Sequence, residues 1–151
     1  MQLNPYLNFN GQCEAAFRFY ERALGAKIEC LLQYEGTPAA AHSPAELRNK
    51  VLHGRLNLNG QVIMASDCPP DRYREPQGFS VTLSVKEPAE ADRVFRELSE
   101  NGKICMPIGE TFWAQRFGML VDQFGTPWMI NCEKAVQIQP QDLEQCQAVA
   151  G

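Results

Sequence analysis

Apolar residues recur along this chain with two periods, and the two periods alternate. Residues 3–9 read as a short strand ending in the turn pair Asn10-Gly11. From 12 to 24, Ala16, Phe19, Tyr20, Ala23 and Leu24 fall at i, i+3, i+4, i+7 and i+8, one stripe of an amphipathic helix, with Gly25 placed to stop it. Residues 27–34 read as a second strand, followed by "EGTPAAAHSPAELRN", a loop or partly helical stretch. Residues 50–58 and 61–66 form a hairpin around Asn59-Gly60.

The same order then repeats. Residues 79–85 alternate strictly, with Phe79, Val81, Leu83 and Val85 against Ser80, Thr82 and Ser84. A helix carries Ala91, Val94, Phe95 and Leu98 on one stripe and closes at Asn101-Gly102. A strand at 103–108 leads to a last hairpin, 111–122 and 127–132, turning through Gly125. "FRFYERALGAKI" at 17–28 and "VFRELSENGKI" at 94–104 echo each other. The expectation is an α+β fold of two β-α-β-β-β units, 1–68 and 77–134, forming curled mixed sheets around a cup with helices outside. Residues 69–76, "PPDRYREP", link the units. The tail, 135–151, has only Leu143, Cys146 and Val149 as an apolar stripe and reads as peripheral.

Alternation also assigns faces. On 51–58, Leu52, Gly54, Leu56 and Leu58 meet the helix, which turns His53, Arg55 and Asn57 to the cup. Ser80, Thr82, Trp113, Gln115 and Met129 face it from the second unit. Tyr6 and Asn8 join them unless a one-residue slip exchanges them for Pro5 and Leu7. His53 is either a satisfied structural histidine or a general acid/base, its ordinary pKa of about 6.5 suiting proton transfer near neutrality. Arg116 is either a bidentate clamp for a carboxylate or phosphonate, or the partner of Asp122 or Asp67. Trp113 and Trp128 divide between packing and stacking on a ligand. Asp122 reads as a loop cap, and His42 lies in the loop expected to form a lid.

Composition narrows the classes. The formal charge is −4, from 14 Lys and Arg against 18 Asp and Glu, with no basic cluster, which argues against nucleic acid. No run approaches the roughly 20 apolar residues of a bilayer span, and the start lacks a signal-peptide pattern, so a cytoplasmic setting is expected. Six cysteines without a CxxC pair read as free thiols rather than disulfides or a zinc site.

Three stretches carry a resemblance: "PYLNFNGQCEAAFRFYERALGAKI", "HGRLNLNGQVIMASD" and "NGKICMPIGETFWAQRFGMLVDQFGTPWMIN". Over residues 1 to 134 the chain resembles the PhnB-like proteins, in the vicinal oxygen chelate superfamily of glyoxalase I, fosfomycin-resistance proteins and extradiol dioxygenases. The wider family often carries a demethylubiquinone methyltransferase label. The superfamily's metal enzymes hold one divalent ion through His, Glu or Gln from four strands. By position those ligands fall here at Pro5, at His53 or Gly54, at Ser80 and at Met129. One imidazole does not make a metal site, so no metal and no other cofactor is expected. The leading expectation is a homodimer that binds a small anionic or oxygen-rich metabolite in the cup, with or without transforming it. The alternatives are a metal-dependent enzyme of glyoxalase or fosfomycin-resistance type, and a ligand-sequestering or regulatory module without chemistry.

Overall fold

The computed structural model of the protein describes residues 1–134; the tail at 135–151 lies outside the described residues. In chain order the elements are β1 (Tyr6–Phe9), α1 (Cys13–Leu24), β2 (Lys27–Gln33), β3 (Val51–Leu58) and β4 (Gln61–Asp67), then β5 (Val81–Ser84), α2 (Pro88–Leu98), β6 (Lys103–Gly109), β7 (Ala114–Val121) and β8 (Pro127–Glu133). They form two open four-stranded sheets, ordered β1-β4-β3-β2 and β5-β8-β7-β6. In each sheet the first strand pairs with the last in parallel and the other two pairings are antiparallel. This is the α+β architecture of two β-α-β-β-β units that the periodicity predicts.

Each sheet turns one face to its helix. Gly54 on β3 shows how closely: a Cβ there would lie 3.0 Å from the Phe17 ring of α1. Gly118 on β7 is the counterpart in the second unit, where a Cβ would lie 2.6 Å from the Phe95 ring of α2 and 3.0 Å from Ile108 Cα. Both glycines leave room for a phenylalanine on the helix, so the two units use one packing device. Gly118→Ala is expected to cost about 1–3 kcal/mol, since the ring must move against a packed core. Gly54→Ala, with more room, costs less; denaturant titration of the two variants checks the order.

Buried side chains from both units make one continuous core, including Phe17, Tyr20, Leu56, Phe95, Leu120, Trp128 and Ile130. Charged residues of α1 such as Glu14 and Arg18 stay exposed, so the helix is covered on its sheet side and open on the other. Two buried aspartates close the framework. Asp67, at the end of β4, accepts the Cys13 N–H at the start of α1 and the Val51 N–H at the start of β3, each at 2.9 Å. Asp122 does more than the turn-capping expected of it. Its Oδ1 accepts the N–H of Phe124 and Thr126, and its Oδ2 accepts the Tyr20 hydroxyl at 2.7 Å and the Trp128 indole N–H at 2.8 Å. Tyr20 belongs to α1, so this carboxylate ties the first unit to the last hairpin of the second.

One expectation is corrected here. Phe79 precedes β5 and is 50% exposed, because the regular strand begins only at Val81. The stretch read as loop or partly helical is as expected, with 3-10 turns at Pro38–His42 and Ala45–Leu47. Leu47 is buried, and Tyr34 at the base donates its hydroxyl to the Asp67 carbonyl at 3.0 Å.

Candidate functional site

Of the residues assigned by alternation, Tyr6, Asn8, His53, Arg55, Asn57, Thr82 and Met129 stand on the helix-free faces of two sheets. Tyr6 pairs with Met64 and Asn8 with Ser66, while Leu7 and Phe9 are buried, so the first strand takes the register without the slip. Arg55 and Asn57 pair with Met64 and Val62 on the same face. Their side chains are already engaged. The carboxylate of Glu29, on β2, accepts the Arg55 guanidinium at 2.6 Å and the Asn57 amide at 2.7 Å. These hydrogen bonds, from Asn57 and then Arg55, hold the Glu29 carboxyl below the ordinary range for a carboxylate. Asn57 also accepts the Gly60 N–H at 2.8 Å, bracing the hairpin. Glu29 is not legible from the sequence because its strand follows a bulge after Ile28, which breaks simple alternation.

His53 is half-buried on this face, with its ring 6.1 Å from that of Tyr6. It makes no side-chain hydrogen bond among the described residues, so it lacks the satisfied geometry of a structural histidine. Replacing it by alanine is expected to change the unfolding free energy by no more than about 1 kcal/mol, in line with a partly exposed residue without fixed partners.

In the second sheet, Thr82 pairs with Met129, which places both on the helix-free face. Ser80 immediately precedes the strand. Trp113 precedes β7, is 43% exposed, and packs edge-on against Phe117 at 5.4 Å and Phe112 at 4.6 Å. Gln115 sits in a bulge of β7 and donates its amide to the Glu133 carbonyl at 3.0 Å. Arg116 is a correction. It pairs with Cys132, whose side chain is buried, and its guanidinium reaches Asp92 of α2 at 3.1 Å. It therefore faces the helix, and its partner is neither Asp122 nor Asp67. The reason is period 2: Gly118 meets Phe95 of α2, so the residue two positions earlier faces the same way. Trp128 is wholly buried and packs on Tyr20 at 5.3 Å, which makes it a core residue.

A cavity of about 460 Å³ opens where the two units meet. Residues 2–5 and the tip of the β3–β4 hairpin form one side, and residues 79–83 form the other. Of the residues chosen from sequence, Ser80 and Thr82 line it; Tyr6, Asn8, His53, Arg55, Asn57, Trp113, Gln115, Arg116 and Met129 do not. Its polar groups are amides and hydroxyls, among them Gln2, Asn4 and Gln61, set among Leu3, Val62 and Phe79. Among the described residues, no charged or titratable side chain lines it. Pro5 and Ser80, two of the four positions at which the superfamily's metal ligands fall, are both in the wall.

The metal fits poorly with these residues. Pro5 has no donor atom in its side chain, the Ser80 hydroxyl is a weak ligand, and a Met129 thioether suits soft ions. Among the described residues no three of His, Cys, Asp and Glu are grouped to hold an ion.

Two mixed β-α-β-β-β units with helices on one side define the vicinal oxygen chelate class of fold. The chain belongs, within it, to the PhnB-like family whose model is described as 3-demethylubiquinone-9 3-methyltransferase, and which matches residues 1–131. It is 37% identical over 142 residues to protein YjdN of Escherichia coli K12, covering 89% of this chain and 97% of that protein. A crystal structure of a Pseudomonas aeruginosa protein superimposes with a TM-score of 0.81 at 43% identity, over 88% of this chain and 98% of the other. A Bacillus cereus PhnB protein, described as a putative 3-demethylubiquinone-9 3-methyltransferase, gives 0.74 at 25% identity, over 87% and 99%. The fosfomycin resistance protein FosX of Listeria monocytogenes shares the fold alone, with a TM-score of 0.60 at 9% identity, over 89% and 94% of the two chains.

Proposed function

We propose that the protein binds a small, uncharged, oxygen-rich molecule in the cavity between its two units, without the superfamily's metal. The observation behind this reading is the lining: hydroxyls and amides interspersed with apolar side chains, with no charged group among the described residues. Such a surface hydrogen-bonds hydroxyl and carbonyl oxygens while the apolar part covers the hydrocarbon. An anion there would lose hydration with no countercharge to replace it, so of the two ligand classes expected from sequence the oxygen-rich one is kept and the anionic one is dropped. A lining without titratable side chains favours binding over acid–base turnover at this place.

A thermal-shift screen of neutral polyols, lactones, quinones and sugars against the corresponding acids tests the reading. Neutral hits are expected, and their affinity should fall about tenfold in Thr82→Val, which keeps shape and removes the hydroxyl. Hits confined to acids, or affinities indifferent to Ser80→Ala and Thr82→Val, would sink it. His53 enters this reading as a second-tier candidate: a tenfold loss of binding in a stable His53→Ala protein would bring its face into the site. Homodimerisation and a cytoplasmic setting belong to the same proposal. Exposed Leu32, Ile104 and Met106 on the edge strands β2 and β6 support the first, and five free cysteines among the described residues support the second. Light scattering on the purified chain tests the dimer.

A further inference from the structure

Away from the cavity, the helix-free face of the second sheet holds an acceptor without a donor. Asn131, on β8, has its Oδ1 buried and unpartnered among the described residues. Its Nδ2 points to Glu133 Oε1 at 3.5 Å. Turning the amide over would set its oxygen against that carboxylate, so the orientation is imposed by the neighbour. A buried acceptor left unpaired destabilises the fold, and a donor that arrives removes that cost.

The surroundings indicate which donor. Phe117 stands directly across from Asn131 on β7, and Ser84 across from it on β5. The indole of Trp113 packs edge-on against Phe117, leaving Trp113 partly open to solvent. Glu133, two residues along the same strand, is exposed and makes no ion pair among the described residues, whereas nearby Glu110 is neutralised by Lys134 at 2.8 Å. A carbonyl acceptor, an unneutralised carboxylate and an aromatic face share one complement: a cation carrying N–H donors.

We propose that Trp113, Phe117, Asn131 and Glu133 form a subsite for the ammonium or guanidinium group of a small organic cation. An N–H donates to Asn131 Oδ1, the charge lies beside Glu133, and the adjoining hydrocarbon rests on the Trp113 ring. Because the Asn131 oxygen is closed to solvent, access requires side chains over it to turn aside. Trp113 is held by ring contacts outside the regular strand, and its indole N–H makes no hydrogen bond among the described residues. The subsite shares no residue with the cavity of the proposed function, so the two stand or fall separately.

The probes are benzylammonium, butylammonium and butylguanidinium, each paired with its neutral alcohol, followed through the Trp113 indole and Asn131 amide signals by NMR. Saturable shifts of both signals are expected with at least one cation, and at least tenfold weaker binding of the matching alcohol. Trp113→Ala and Glu133→Gln should each weaken the cation about tenfold. Asn131→Leu should abolish binding while leaving the fold as stable as before or more so, because it removes the unpaired acceptor; a purely structural asparagine would give the opposite sign. Equal binding of amine and alcohol, indifference to Glu133→Gln, or no saturable shift with any of the three cations overturns the proposal.

Discussion

Asp122→Ala lowers the unfolding free energy by about 3–5 kcal/mol, more than the loss of any single hydrogen bond in the fold. The Asp122 carboxylate accepts four hydrogen bonds, from the Phe124 and Thr126 N–H groups, the Tyr20 hydroxyl and the Trp128 indole. Removing it strands several buried donors at once, and each buried polar group left unpaired carries its own desolvation cost. Tyr20→Phe removes one donor from the same cluster and should cost about 1.5–3 kcal/mol, the range of a hydrogen bond to a charged group. Because both residues serve one network, the double variant should lose less than the sum of the single losses. Denaturant titrations of the four proteins give the cycle; strict additivity would mean that Tyr20 and Asp122 stabilise the fold independently, against the geometry.

Stability falls steeply in alkali. Burial pushes the Cys13 thiol far above its ordinary value, helped by the negative charges of Asp67 and Glu14. Burial, and then the Asp122 charge, do the same to the Tyr20 hydroxyl. In both cases the folded protein holds a proton that the unfolded chain releases, at about pH 8.5 for a cysteine and about pH 10 for a tyrosine. Below those values both states are protonated and the groups leave stability unchanged. Above them the unfolded state binds fewer protons, so the unfolding free energy falls as pH rises, by up to about 1.4 kcal/mol per pH unit for each group. Cys13→Ala should flatten the decline that begins near pH 8.5, and Tyr20→Phe the part that begins near pH 10, both being the ordinary values of these groups in an unfolded chain. Urea melts at stepped pH read both slopes, and unaltered slopes in the variants would place the titration elsewhere.

Local periodicity accounts for most of the architecture. The stripe on α1, the Gly25 stop with its left-handed φ of 66°, and the Asn59-Gly60 hairpin with φ of 51° and 90° are consequences of neighbouring residues in the chain. Alternation likewise puts Tyr6, Asn8, His53, Thr82 and Met129 on helix-free faces, because a pleated strand has no other choice once its apolar side is covered. The PhnB-like motifs in the sequence carry the family. Arg116 departs from expectation only where its chemistry suggests a role that alternation does not allow.

Tertiary structure decided how the polar groups are used. Glu29 lies 26 and 28 residues from Arg55 and Asn57, and only the pairing of β2 with β3 brings it to claim them. Tyr20 and Asp122 are 102 residues apart, so no local pattern announces the carboxylate that joins the units. The cavity arises where residues 2–5 and the β3–β4 hairpin tip come to face residues 79–83, segments far apart in the chain. The unpaired oxygen of Asn131 is of the same kind: its residue type is legible in the chain, but the missing donor is a property of every neighbour that the fold places around it.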